Sequence, residues 1–270
     1  MAKRVSAGFL VLVLILGGTG WWAYNKLRVA FLGDGCKVTV NDESVSLDLE
    51  EAPNAATIAA VAHRRKLPER AVVIALATAE QESHIENIDY GDRDSVGIFQ
   101  QRPSQGWGTE KQLVDPVYAS ERFYGALVKV KGYQKLDLHD AAQRVQRSAD
   151  GSLYAQHENM AQILAGGFTG RIPGAVTCWY PQDRSSATPD HAKALTELVR
   201  NYGSATETLP GGAKAPSRDL GWSYASWLVS HAATFGIKKV RFDGHSWTPA
   251  DGSDGWSDSD TAPTDRVLIS

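Results

Sequence analysis

The chain has 270 residues, room for one medium domain with small additions or for two small domains. Its 43% hydrophobic and 22% charged content is an ordinary globular balance that excludes disorder throughout. A net charge of -3 offers no basic field, so nucleic acid is not an expected partner, and two cysteines cannot build a disulfide-dense scaffold.

Residues 1–28 read as a membrane anchor. Lys3 and Arg4 precede an uncharged, mostly apolar run from Val5 to Tyr24, closed by Trp21, Trp22 and Tyr24 and followed by Lys26 and Arg28. About 20 residues at 1.5 Å each cover a hydrocarbon core of roughly 30 Å, and aromatic residues favour its interface. An uncleaved anchor is expected rather than a signal peptide, whose core is shorter and whose cleavage site is small-x-small. No other segment is apolar enough to span, which excludes a multi-helix channel or transporter within the chain. The expected localisation is the cell membrane, crossed once, with the C-terminal body outside. Cys36 and Cys178 both follow the span, and outside the cell they would be free to form one bridge.

Residues 29–51 form a β-hairpin lead-in, because Lys37 to Leu49 alternates apolar and polar residues around Asn41-Asp42-Glu43. A helical domain follows over 52–182. Ala56–His63 is helix-forming, Leu67-Pro68 breaks the pattern, and a second helix runs from Arg70 to about Ser83. Val72 to Ala79 is apolar on nearly every side, which predicts a buried central helix. Gly91 to Trp107 has no helical period and reads as an ordered loop. Pro116–Lys129, Ala141–Ser148 and Leu153–Leu164 read as further helices. Residues 183–216 are a helix (Pro189–Tyr202) and a Gly/Pro/Ser-rich linker. Residues 217–270 form a small α/β domain, with a helix near Trp222–Phe235 and strands near Lys239–Phe242 and Val267–Ile269.

The second helix ends in Glu80-Gln81-Glu82-Ser83. A carboxyl group at the end of an apolar helix, facing a cleft, is placed to act as a general acid. The helical wheel alone does not choose between Glu80 and Glu82, and both also fit a solvated last turn. Asp89, Asp92 and Asp94 on the following loop would supply a second carboxylate, although Asp in a tight turn more simply bonds its own backbone.

Glu82-Ser83, then Gly97-Ile98-Phe99-Gln100, then Pro103, resembles the lytic transglycosylases and goose-type lysozymes. The longer strings Tyr90-Gly-Asp-Arg-Asp-Ser95 and Gly97-Ile-Phe-Gln-Gln-Arg-Pro-Ser-Gln-Gly-Trp-Gly108 look like an actinobacterial branch of that lysozyme-like superfamily. The likeness covers roughly Ala52 to Gly166. It implies that Glu82 is the catalytic acid, cutting the β-1,4 bond between N-acetylmuramic acid and N-acetylglucosamine in peptidoglycan glycan strands. It further implies that Gln100 sits at the cleft. Ser83, Gln101 and Tyr154 are further substrate-binding candidates, Trp107 is an aromatic placed to stack on a sugar ring, and Gln146 and Ser148 are candidate polar substitutes late in the domain. The family often carries a Tyr-Asn pair on a late helix, and Val145-Gln146-Arg147-Ser148 stands in its place here. That replacement leaves open a second class of function, an inactive peptidoglycan-binding or scaffold protein that keeps the fold. A secretion or conjugation apparatus is a partner that a local wall-opening enzyme would serve.

The tail, with Ala225-Ser-Trp-Leu-Val-Ser-His-Ala232 and Asp243-Gly-His-Ser-Trp247, faintly resembles the end of zinc peptidases of the D-Ala-D-Ala carboxypeptidase type. The final stretch Thr264-Asp-Arg-Val-Leu268 lacks their histidines. His231, Asp243 and His245 do not restore a zinc spacing, so neither metal nor cofactor is expected. The expected fold class is α+β: an N-terminal transmembrane helix, a small β-hairpin, a mostly α lysozyme-like domain and a small C-terminal α/β appendage.

Overall fold

The computed structural model describes residues 33–147, 151–181 and 188–270. The first elements are strands Gly35–Val40 (β1) and Glu43–Leu47 (β2). Asn41 and Asp42 join them with φ of 49° and 68°, as a two-residue hairpin of matching twist requires. The strand Val176–Trp179 (β3) pairs antiparallel with the other edge of β1, giving the order β2-β1-β3. Cys36 lies opposite Cys178 in that register, and the two form a disulfide across 142 residues of sequence.

The helical body between these strands contains Glu51–Arg64 (α1), Glu69–Ser83 (α2), the short Glu110–Leu113 (α3), Pro116–Leu127 (α4), Leu138–Gln146 (α5), the single turn Ser152–Ala155 (α6) and Glu158–Phe168 (α7). Pro68, with extended backbone, starts α2, where its missing N–H costs nothing. Every residue of α2 from Ala71 to Ala79 is buried. The helix packs against α1 and α7, with α4, α5 and α6 closing around it. Its one interior polar side chain, Thr78, donates its hydroxyl back to the Ile74 carbonyl at 2.7 Å.

His191–Tyr202 (α8) leads to the C-terminal part. There Thr208–Leu209 (β4), Gly212–Lys214 (β5), Arg218–Ser230 (α9), Ala232–Phe235 (α10), Val240–Phe242 (β6), His245–Trp247 (β7), Ser257–Asp258 (β8) and Arg266–Ile269 (β9) form a sheet of order β4-β5-β9-β6-β7-β8, covered by α9. Helix α9 reaches beyond its own sheet to α1 and β3. Trp247 and Trp256 donate their indole N–H groups to the carbonyls of Cys178 and Val176, both at 2.9 Å. They thereby occupy polar groups that the outer edge of β3 would otherwise expose.

Three features correct the expected fold class. No helix among the described residues is long and apolar enough to cross a membrane. The longest, α2, has 15 residues, about 22 Å against a hydrocarbon core of roughly 30 Å. The apolar run 5–24, where the transmembrane helix was expected, lies outside the described residues. The hairpin is part of a three-stranded sheet, because β1 has a second edge that β3 satisfies. The stretch 203–216, read as a linker, carries β4 and β5, and β5 pairs with β9 at the chain's far end.

Two consequences for stability arise from this packing. The disulfide closes a loop of 142 residues, a constraint that acts mainly on the unfolded chain. Cys36→Ser with Cys178→Ser is expected to cost about 2–5 kcal/mol, read as a lower midpoint in urea with a steeper slope, because the uncrosslinked unfolded chain exposes more surface. An unchanged midpoint would show that the register of β1 and β3 needs no covalent tie. In the tail, His231 donates from Nδ1 to the Trp227 carbonyl at 2.8 Å and stacks on the Trp227 indole at 3.7 Å between centroids. Burial pushes its imidazole down to about 4 from 6.5. Between those values the unfolded chain takes up a proton that the folded chain refuses, so stability is full above about pH 6.5 and falls as pH drops toward 4. Thermal melts at about pH 7 and pH 4.5 should differ less for His231→Gln than for the wild type. Equal differences would assign the loss to other groups.

Candidate active site

The end of α2 is fixed by its capping. His84 and Ile85 both adopt left-handed backbone, with φ of 55° and 60°. Their N–H groups return to the carbonyls of Glu80 at 2.9 Å and Ala79 at 3.2 Å, and the Ile85 side chain is buried beneath the turn. Buried Asn54 of α1 donates to the Ile85 carbonyl at 2.7 Å. The last turn, Glu80 to Glu82, is therefore the place where the buried helix reaches half-exposed ground.

Glu82 and Glu80 take different partners there. The phenol O–H of Tyr154, on α6, donates to Glu82 Oε1 at 2.7 Å, and Tyr154 is itself 2% exposed. Among the described residues no hydrogen bond reaches Glu82 Oε2. Glu80 instead meets His84 Nδ1 at 3.3 Å through Oε1. Buried Ser83 donates its hydroxyl to the Ile98 carbonyl at 3.0 Å, sharing it with the Ala79 carbonyl at 3.2 Å. Ser83 is thus the tether between the acid-bearing helix end and the Gly97–Gln101 turn.

That turn is tightly built. Gly97 has φ of 75°, and its N–H donates to the Ile88 carbonyl at 2.6 Å. Val96 and Gln101 exchange backbone hydrogen bonds of 3.1 Å across its base. Gln100 folds its amide Nε2 onto the Tyr90 and Gly97 carbonyls at 3.2 and 3.3 Å. Gln101 is 2% exposed and donates to the Ala119 carbonyl at 3.3 Å. Gln146, at the end of α5, donates to the Phe99 carbonyl at 2.8 Å.

The residues singled out from sequence therefore separate into groups. Glu82, Ser83 and Tyr154 are joined directly by hydrogen bonds or by adjacency in the chain. Gln100, Gln101 and Gln146 spend their amides on backbone carbonyls and hold the turn. Trp107 lies apart, beside an open cavity lined by α4 and the end of α5. Ser148 lies outside the described residues. Asp94 is engaged structurally. Hydrogen bonds from the Ser104 N–H, the Arg102 guanidinium and the Ser104 hydroxyl hold its carboxyl well below the usual carboxylate range. Asp89 and Asp92 are exposed.

The site also contains residues that the sequence did not single out. Gln81 Oε1 accepts from His157 Nε2 at 3.0 Å and from Gln156 Nε2 at 3.2 Å, placing the start of α7 against the helix end. Burial pushes the His157 imidazole below its ordinary value, opposed by the charge of Glu80. Nothing in local spacing points to these two, because they lie on a segment about 75 residues from Gln81.

The remaining histidines and acids of interest serve packing. Asp243 accepts from Arg218 at 2.7 Å and from the Trp222 indole at 3.1 Å, while His245 Nδ1 donates to the Asp243 carbonyl at 2.7 Å. Together with the Trp227-stacked His231, they are committed to the tail's own core. Asp137, His139 and Asp140 offer ligand atoms within 4.8 Å of one another at the start of α5, with Asp137 exposed and the other two half-buried. The chain matches no protein-family model and no curated protein.

The geometry of the turn yields a stability prediction. A Cβ on Gly97 would lie 2.2 Å from the Leu113 carbonyl oxygen, whereas one on Gly106, at a similar φ of 78°, meets nothing within 4 Å. Both substitutions to Ala carry backbone strain of about 1–3 kcal/mol, and Gly97→Ala adds the collision. Chemical denaturation should show a larger loss for Gly97→Ala than for Gly106→Ala, and equal losses would mean that the loop yields freely.

Proposed function

We propose that this chain is an extracytoplasmic peptidoglycan-cleaving enzyme with Glu82 as its general acid. The observation that carries the reading is the Tyr154–Glu82 hydrogen bond at the half-exposed end of a buried helix, with Ser83 tethering the following turn. It supports the role that the sequence resemblance assigns to Glu82 and distinguishes it from Glu80. The Cys36–Cys178 disulfide supports placement in an oxidising compartment.

The chemistry follows from the carboxyl group. With Oε1 held by Tyr154, Oε2 is the oxygen left to face a glycosidic bond. The protonated carboxyl gives its proton to the glycosidic oxygen as the bond to C1 of the muramic residue breaks. An inverting hydrolase would need a second carboxylate to activate water. Asp94 is tied into its own loop by Arg102 and Ser104. The resemblance to lytic transglycosylases, which need no second carboxylate, favours transglycosylation. The muramic 6-hydroxyl attacks C1, its proton passes to the Glu82 carboxylate, and a 1,6-anhydro end forms without water.

A second reading, a peptidoglycan-binding or scaffold protein without turnover, is favoured by Val145-Gln146-Arg147-Ser148 standing where the resembled family carries its Tyr-Asn pair.

Purified peptidoglycan incubated with the chain should yield anhydro-muropeptides by mass spectrometry. Glu82→Gln should lower the rate about 10²–10⁴-fold, while Glu80→Gln leaves it near wild type. Tyr154→Phe removes the hydrogen bond that stabilises the carboxylate formed as Glu82 gives up its proton, and should cost about 10–100-fold. Reducing ends in place of anhydro ends would indicate hydrolysis. Unchanged products with Glu82→Gln would sink the assignment, and a folded chain that pellets with the wall but releases nothing would establish the binding reading.

A further inference from the structure

A second feature lies on the same helical body, apart from Glu82. A cavity of about 640 Å³ opens between α4 with its following turn, the end of α5, the Gln105–Trp107 loop and the end of α1. Five cations line it, Arg65, Arg122, Lys129, Arg144 and Arg147, against one acid, Glu121. The whole chain carries a net charge of -3, so this concentration is not a consequence of composition.

The local bonds leave most of that charge uncompensated. Glu121 is shared between Arg64 and Arg65, which accounts for its single negative charge. Arg122 is oriented by the Trp107 and Gly106 carbonyls at 2.6 and 2.9 Å, contacts that aim a guanidinium without neutralising it. Among the described residues Lys129, Arg144 and Arg147 have no acidic partner within ion-pair distance. Cations of one sign around a concave surface repel one another and focus their field into the space between them. Trp107, Val130 and Val145 supply apolar wall between the charges.

We propose that this cavity is a binding site for a small multivalent oxyanion, carrying about three or four negative charges as clustered phosphates or carboxylates. The volume lies within the roughly 300–1,000 Å³ that small-molecule sites occupy. Guanidinium forks match the paired oxygens of either group, and one carboxylate would leave the remaining cations unmatched. None of the lining residues belongs to the Glu82–Ser83–Tyr154 group, so the proposal is independent of the catalytic reading.

The test is calorimetric titration of the full chain with inorganic tripolyphosphate and, separately, with citrate. At low salt at least one should bind saturably at a single site. Affinity should fall as salt shortens the screening length, which is about 10 Å at 0.1 M. Each cation removed should cost about tenfold, so the triple change Lys129→Ser, Arg144→Ser, Arg147→Ser should abolish measurable binding. Arg93→Ser, on the exposed loop, should leave it unchanged. Lys129→Ser alone gives the reading if the triple variant does not fold. Glu82→Gln should bind like wild type, which separates this site from the catalytic one. Binding of tripolyphosphate alone would name phosphate as the ligand chemistry, and binding of citrate alone would name carboxylate. Absence of binding to both, or binding that survives the triple change in a folded protein, overturns the proposal.

Discussion

A helix buried on every side can place polar chemistry only at its ends, and α2 sets that condition for the whole structure. Its residues from Ala71 to Ala79 have no face toward water, so no charge is tolerable there without a partner. The charged last turn marks where protein gives way to accessible space. The left-handed cap at His84 and Ile85 then turns the chain sharply back, and Asn54 and Ser83 hold the loop beyond it against the helix end. The position of Glu82 is thus a product of burial behind it and capping beyond it.

The remaining architecture closes around that helix through contacts distant in sequence. The pairing of β1 with β3, sealed by the disulfide, joins the start of the described chain to the end of the helical body. The C-terminal sheet then leans on β3 through the indoles of Trp247 and Trp256, and α9 packs on α1. Tail residues that suggest metal chemistry by type, His231, Asp243 and His245, are spent on this packing. A buried polar group must find a hydrogen-bond partner, and here each finds one within the tail.

Charge is distributed over the helical body with a similar division of labour. Acids on the loop after α2 neutralise and orient neighbours, as Asp94 does for Arg102 and Ser104. The cations around the open cavity are different, since most of them lack such partners among the described residues. An arginine held by a carbonyl keeps its charge available, whereas an arginine held by a carboxylate does not. That distinction separates Arg122 from Arg102 in role, although both are well ordered by hydrogen bonds.

Local periodicity determined a good deal of this protein. The hairpin over 35–47, the break at Pro68, the burial of the second helix and the helices near 116–127 and 191–202 were all legible, because each depends on neighbours within a turn or a pleat. So was the order of an acidic turn at the end of an apolar helix followed by a glycine turn. Tertiary structure alone decided which of two glutamates meets a tyrosine 72 residues away, and that the glutamines of the turn bond backbone carbonyls. It alone paired the stretch read as a linker with the last strand, and gathered cations from separate segments around one cavity. Helical and strand periods record which face of an element is buried. They carry no record of which distant element covers that face, and the partners of Glu82 and of the cationic cavity come from such distant elements.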